Sequence, residues 1–295
     1  MSKDIELRPL SMDIREQMTL IKLQQGIHTN TGSFDICYLW REALKIEVHL
    51  ETDMYAIKEW CNPADVWAFP VGSYEAKKNF ITQLVNTYPN LTFLKVRDTD
   101  KCFLEEHFPN MFCIYECPDD NEYIYDVAEY EALAGKKWRK FREAENRLRV
   151  QHTFAVESID ANNLHTVKFV MDEWAKGRST GGYQNTLGNE VDDMIIQSYQ
   201  SLGLMGVLLR IDGNPTAVVI GYPLSDTICD MTVMKYVGDF KDICRIALRA
   251  FMLHFKNQFR YFNFEEDGGI EGLRTMKHRL NPCRLNRMWK AKLKM

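Results

Sequence analysis

The sequence predicts a mixed α/β fold laid out in two successive halves, and three observations carry that expectation. Short β-rich apolar runs alternate with amphipathic stretches of helical period along all 295 residues. The order of these signals in the first half returns in the second, without a repeat at the residue level. Hydrophobic residues make up 45% and charged residues 26%, the balance of a chain that buries a core and not of a disordered one. At this length two domains are expected, each of about 150 residues.

In chain order, residues 5–8 predict a short strand and residues 12–25 a helix through Ile14, Met18, Ile21 and Leu23. Residues 34–50 read as strand, ending in the β-rich run 46–50, and residues 65–71 read as a buried strand. Gly72-Ser73 opens a helix through Phe80, Leu84 and Val85 that Pro89 stops. A strand at 91–96, a short helix at 103–108 and a strand at 111–115 follow. Residues 127–151 predict one helix, with Ala134, Trp138, Phe141 and Leu148 on its apolar face. The second half opens with a strand at 152–156 and helices over 163–176 and 190–201. Two strands, 205–211 and 216–221, are joined as a hairpin by Asp212-Gly213, a pair suited to the positive φ of a tight turn. Then come a strand at 228–235, a helix opening at Asp239 as N-cap, a strand at 261–264, a helix at 270–280 ended by Pro282, and a last strand at 285–293.

Several function classes are excluded. No apolar run approaches the ~20 residues of a membrane-spanning helix, and the opening residues carry no signal-peptide core, so a soluble cytoplasmic protein is expected. The eight cysteines are scattered, which predicts reduced thiols; the close pair Cys113 and Cys117 lacks a second pair or a histidine partner, so no metal is expected. The glycine-rich run Gly177-Arg-Ser-Thr-Gly-Gly182 lacks the spacing of a phosphate-binding loop. Neither a Gly-x-Ser-x-Gly elbow nor a Gly-x-Gly-x-x-Gly fingerprint is present.

Charge divides the chain. Residues 1–135 hold 12 Lys and Arg against 23 Asp and Glu, a balance of -11, and the remainder holds 25 against 18, a balance of +7. The switch is sharpest between 115–131, with seven acids and no base, and 136–149, with seven bases and two acids. This places a boundary between domains at 1–128 and 129–295. The asymmetry implies either an anionic partner for the second half or mutual attraction of the two.

Three segments could carry chemistry. On the helix 136–149, Lys136, Lys137, Arg139, Lys140 and Arg142 form a cationic stripe able to neutralise phosphates, or a solvated face. At 263–282 a strand end runs into Glu266 and Asp267, then Gly268-Gly269, then a helix bearing Arg274 and Lys277. Two carboxylates and two cations around a glycine turn could activate an amine and hold an anion, or simply cap and pair within the helix. Lys235 ends an apolar strand, where it meets a carboxylate or a phosphate, or guards an edge.

These residues also resemble a known family. The segments Tyr123-Ile-Tyr-Asp126, Leu133-Ala-Gly-Lys-Lys-x-Arg-Lys-x-Arg142 with Asn146-Arg147, and Glu266-Asp-Gly-Gly-Ile-Glu-Gly-Leu-Arg-x-x-Lys277 with Asn281-Pro282 are similar to the phosphatidylglycerol lysyltransferase C-terminal domain family, which includes soluble bacterial members. The resemblance implies two tandem acyltransferase folds of the GNAT type. It also implies transfer of an aminoacyl group from charged tRNA to an amine or hydroxyl, with no further cofactor. On that reading Lys136, Lys137, Arg139, Lys140, Arg142, Arg274 and Lys277 hold tRNA, while Glu266, Asp267 and Lys235 serve catalysis. Acetyl-CoA is the alternative donor, although Asp239 and Asp242 stand where its pyrophosphate would lie. A non-catalytic module that binds RNA or another anion, and an interaction protein built on opposite charges, are the competing classes.

Overall fold

The computed structural model describes residues 5–178, 186–240 and 242–294, so residues 179–182 of the glycine-rich run and the first four residues of the chain lie outside the described residues. The chain separates into two units. Unit 1 comprises Met1–Tyr123, Glu266–Thr275 and Leu285–Met295, and unit 2 comprises Ile124–Glu265 and Met276–Arg284. The boundary expected after residue 128 falls between 123 and 124, and two C-terminal stretches expected in the second domain belong to unit 1.

The elements up to the boundary are β1 (Arg8–Pro9), α1 (Arg15–Gln24), α2 (Phe34–Leu44), β2 (Ile46–Leu50), β3 (Met54–Glu59), β4 (Val66–Ala68), β5 (Val71–Gly72), α3 (Tyr74–Thr87), β6 (Thr92–Arg97), α4 (Asp98–His107) and β7 (Phe112–Glu116). There follow β8 (Glu122–Asp126), α5 (Val127–Ala132), α6 (Arg139–Gln151), β9 (Phe154–Ser158), α7 (Leu164–Arg178), α8 (Thr186–Ser198), β10 (Met205–Ile211), β11 (Asn214–Pro223), β12 (Ile228–Tyr236), α9 (Ile243–His254) and β13 (Tyr261–Asn263). The chain ends in α10 (Glu271–Arg279), β14 (Arg284–Asn286) and β15 (Met288–Leu293).

Unit 1 holds two four-stranded sheets, ordered β1-β2-β3-β5 and β4-β6-β15-β7. The single strand expected at 65–71 is two strands, one in each sheet. Pro70, with a fixed φ and no amide hydrogen, separates them. The strand expected at 34–50 is helix α2 followed by β2. Ser33 precedes the helix, Lys45 ends it in the left-handed region, and Phe34, Cys37 and Leu39 are buried, so tertiary burial overrides the β-rich composition. Helix α3 forms as expected, its Ser73 hydroxyl accepting from the Ala76 amide. The apolar core gathers Trp67, Phe80, Leu84, Phe93, Leu104 and Ala291. The last strand, expected to run over 285–293, is divided into β14 and β15.

Unit 2 is built on a sheet whose strands run β8-β13-β12-β11-β10-β9. The hairpin β10–β11 turns at Asp212 and Gly213, both at positive φ, as the sequence requires. Strands β12 and β13, linked through α9, are parallel, and they pair only from Ile228–Tyr261 to Asp230–Asn263. Strand β12 then continues to Tyr236 beside β11 alone among the described residues. The helix expected at 127–151 is α5 and α6, interrupted where Leu133 and Gly135 take positive φ. Trp138, Phe141 and Leu148 are buried as the period requires, while Ala134 lies exposed in the break. Helix α9 begins at Ile243 and not at Asp239, with Asp242 at positive φ as its N-cap.

At Gly221 the register of β11 against β12 shifts, and the two backbones crowd together: a Cβ there would stand 1.8 Å from the Asp230 carbonyl oxygen. That atom is main chain and cannot swing aside. Gly221→Ala is therefore expected to cost at least about 3 kcal/mol by urea unfolding.

Candidate functional site

The expected site residues fall into separate groups. In unit 1, Asp267 is 1% exposed and fully engaged. It accepts from the Tyr123 hydroxyl at 2.6 Å, from Arg274 Nε at 3.0 Å and Nη2 at 2.8 Å, and from the Gly269 amide at 2.9 Å. Burial pushes its pKa up, but the bonds from Arg274, Tyr123 and Gly269 outweigh this and hold it below the ordinary aspartate value. Burial and the neighbouring carboxylate raise the Tyr123 phenol to about 12. Arg274 also donates to Asp119 at 2.5 Å, so its guanidinium already faces two carboxylates and its pKa is raised. Glu266 pairs with Lys95 at 3.3 Å, each about 30% exposed, and this carboxylate raises the Lys95 pKa. Gly268 and Gly269, both at positive φ, turn the chain between the acids and α10; the Gly268 amide donates to the Asp119 carbonyl. This cluster fastens a glycine turn through charge-assisted bonds.

The remaining expected residues belong to unit 2. Lys277 is 3% exposed, donates to the Phe264 carbonyl and lies 4.7 Å from the Phe264 ring centroid, so its ammonium is directed inward and not at a ligand. On and before α6, Lys137 pairs with Glu129 at 2.8 Å and Arg139 with Glu143 at 3.5 Å. Arg142 donates to the Leu133 and Gly135 carbonyls and so closes the break between α5 and α6. Lys136 and Lys140 are exposed and have no partner among the described residues.

Lys235 occupies the part of β12 that has left β13 behind. It donates to Asp192 of α8, and both side chains are 12% exposed. The Trp174 ring of α7 covers the ammonium at 4.6 Å. Burial raises the Asp192 pKa; Lys235 opposes that effect, while Asp193 and Asp172 reinforce it. Trp174 also borders a cavity of 320 Å³ with Glu173, Gly177, Tyr236, Val237 and Gly238. Trp174 thus borders both the buried Lys235–Asp192 pair and the cavity, whose lining includes neither Lys235 nor Asp192.

Sequence reasoning placed Lys235 and missed Asp192 and Trp174. The only sign of Asp192 was an Asp-Asp pair breaking the apolar period of its helix, and such a pair is ordinarily solvated. Among the described residues no group of three or more His, Cys, Asp or Glu is arranged to hold a metal, and no helix is long and apolar enough to cross a membrane.

The sequence model of the family described as phosphatidylglycerol lysyltransferase, C-terminal, matches residues 26–291. The chain belongs to this family. No curated protein matches its sequence. Its fold is that of a conserved protein of unknown function from Bacteroides thetaiotaomicron, at 22% identity over 98% of this chain and 100% of that one, TM-score 0.87. L-PGS from Bacillus licheniformis is similar at 17% identity over 99% and 94% of the two chains, TM-score 0.67. FemX is similar at 8% identity over 98% and 97%, TM-score 0.62. Membership of the family explains why the segment from Glu266 to Lys277 stood out in the sequence; in this fold Glu266 is engaged by Lys95, Asp267 and Asp119 by Arg274, and Lys277 by a main-chain carbonyl.

If the Tyr123 hydroxyl helps to hold the buried Asp267, Tyr123→Phe costs about 1.5–3 kcal/mol by chemical denaturation, the worth of a hydrogen bond to a charged group. Because the Asp267 pKa is depressed on folding, this contribution is present above the unfolded aspartate pKa, near 4, and is lost as pH falls through the folded value.

Proposed function

We propose that this protein is an aminoacyltransferase that moves an aminoacyl group from charged tRNA to an amine or hydroxyl, with its reacting centre in unit 2 beside Lys235 and Asp192. The observation that carries the reading is the buried Lys235–Asp192 pair next to the cavity bordered by Trp174. Family membership supports the reaction class. Two tandem GNAT-type folds belong to the same proposal. In its favour, each unit contains one parallel strand pair with a helix in its connection, β4 and β6 through α3 in unit 1, β12 and β13 through α9 in unit 2.

The chemistry needs no protein nucleophile. The acceptor nitrogen or oxygen attacks the ester carbonyl, its proton passes to Asp192, and the carbonyl carbon releases the tRNA ribose oxygen, which leaves as a hydroxyl after taking that proton. The new bond is an amide or an ester. Asp192 is the base and Lys235, under the Trp174 ring, keeps it ionised. On this reading Lys136 and Lys140 are the cations of the α6 region left for phosphate, with Arg139 beside them, whereas Arg274 and Lys277 act within the fold.

Asp192→Asn is expected to lower transfer by about 10²–10⁴-fold. The base acts when ionised, so activity rises with pH through the raised Asp192 pKa. In Lys235→Met that pKa climbs further and the acidic limb of the pH–rate profile moves to higher pH. A limb that stays in place would remove Asp192 from the mechanism. Separately, Lys136→Ala with Lys140→Ala should flatten the log–log salt dependence of tRNA binding by about 1–2, as two phosphate contacts predict; an unchanged slope in filter binding would move the RNA surface elsewhere.

A further inference from the structure

Unit 2 contains a second recess, apart from the Lys235 cavity, where α6, β9 and α9 meet. Its volume is 270 Å³. This lies just under the ~300–1,000 Å³ typical of small-molecule pockets, which suits one nucleotide and is too small for a bulky cofactor such as coenzyme A. The walls are of two kinds. Phe154 and Val156 of β9 and Leu253 of α9 are only half-buried, and they turn flat apolar surface into the recess from an edge strand, where polar side chains are usual. Against them stand three guanidiniums, those of Arg149, Arg245 and Arg249.

These arginines are held in place and incompletely neutralised. Glu145 accepts from Arg149 at 2.8 Å and from Arg249 at 2.8 Å, and Arg249 Nε is fixed by the Tyr130 carbonyl at 2.8 Å. Arg245 pairs with Asp242, yet its Nε is buried without a hydrogen-bond partner among the described residues. Asp242 is shared with Arg147, so four guanidiniums face two carboxylates and positive charge is left over. Burial lowers the Arg245 pKa and the nearby Arg279 adds to this. Arg149 lies 5.8 Å from the Phe154 ring centroid, so a ring placed on that phenylalanine would come within reach of a guanidinium.

We infer that this recess is a nucleotide site, in which a base lies on Phe154 and Val156 while its phosphate takes donors from Arg149 and Arg245. Aromatic faces accept any base by stacking, and guanidiniums match phosphate oxygens in planar pairs. A phosphate group carries negative charge of the kind that the recess lacks. The nucleotide is either part of an RNA strand lying along α6 or a free mononucleotide. The RNA source rests on the tRNA reading above, and the free source does not.

The test compares the full chain with Arg149→Ala and Phe154→Ala, both folded by circular dichroism, for binding of AMP by calorimetry and of uncharged tRNA by filter binding. Arg149 is 58% exposed, so its variant folds even if Phe154→Ala does not. Each variant is expected to weaken a nucleotide-bearing ligand at least about fivefold, the smaller end of a stacking or phosphate contact. Loss of affinity for tRNA alone assigns the site to RNA, and loss for AMP alone to a free nucleotide. If tRNA binding is unchanged in both variants yet falls in Lys136→Ala with Lys140→Ala, and AMP does not bind, the tRNA reading stands and the nucleotide site is overturned. If the intact protein binds neither ligand, both are overturned.

Discussion

Strand β12 of unit 2 is placed by a main-chain contact that tolerates no side chain. At Gly221 the backbone of β11 lies against that of Asp230, with the ladder shifted by the irregularity there. Upstream of this point β12 pairs with β13, and downstream it runs on without it. Lys235 and Tyr236 are carried on that extension, so the ion pair with Asp192 and the wall of the Trp174 cavity inherit their positions from two backbones in contact. Few side-chain interactions in unit 2 have comparable reach, because a rotamer can adjust and a carbonyl in a ladder cannot.

Electrostatics is organised by subtraction. Seven bases between residues 136 and 149 suggest a broad cationic surface, yet Lys137, Arg139, Arg142, Arg147 and Arg149 each find a carboxylate or a carbonyl. What that stretch leaves without a partner among the described residues is Lys136 and Lys140. Exposed pairs such as Lys137–Glu129 and Arg139–Glu143 add little net stability. The Asp267–Arg274 pair differs: Asp267 is buried, and its anchoring of a glycine turn depends on angles that several donors define together.

The parts of the fold legible in the sequence are those whose cause is local. The β10–β11 hairpin follows from Asp212-Gly213, helix α3 from Ser73 and its period, and the buried face of α6 from Trp138, Phe141 and Leu148. Elements decided by distant partners were not legible. Helix α2 looked like a strand because its run of apolar and aromatic residues leads straight into the β-rich 46–50, and residues 65–71 hid two strands because sheet membership is settled by β3 and β6. For the site, Lys235 was visible at a strand end, while Asp192 and Trp174 lie on helices whose approach to it no spacing encodes. Arg274 and Lys277 were visible as motif residues, but the sequence does not say that an inward-facing carbonyl will claim a lysine.

The second sheet of unit 1 has β15 as an interior strand, between β6 and β7. Those neighbours are made early, and β15 follows only after the whole of unit 2 has been synthesised. Until then β6 and β7 each present an unsatisfied ladder edge, and the closure that joins them is of very long range. During translation, unit 1 therefore has to wait as an open intermediate with exposed strand edges, and the protein's exposure to misassembly is set by the time needed to make its other unit.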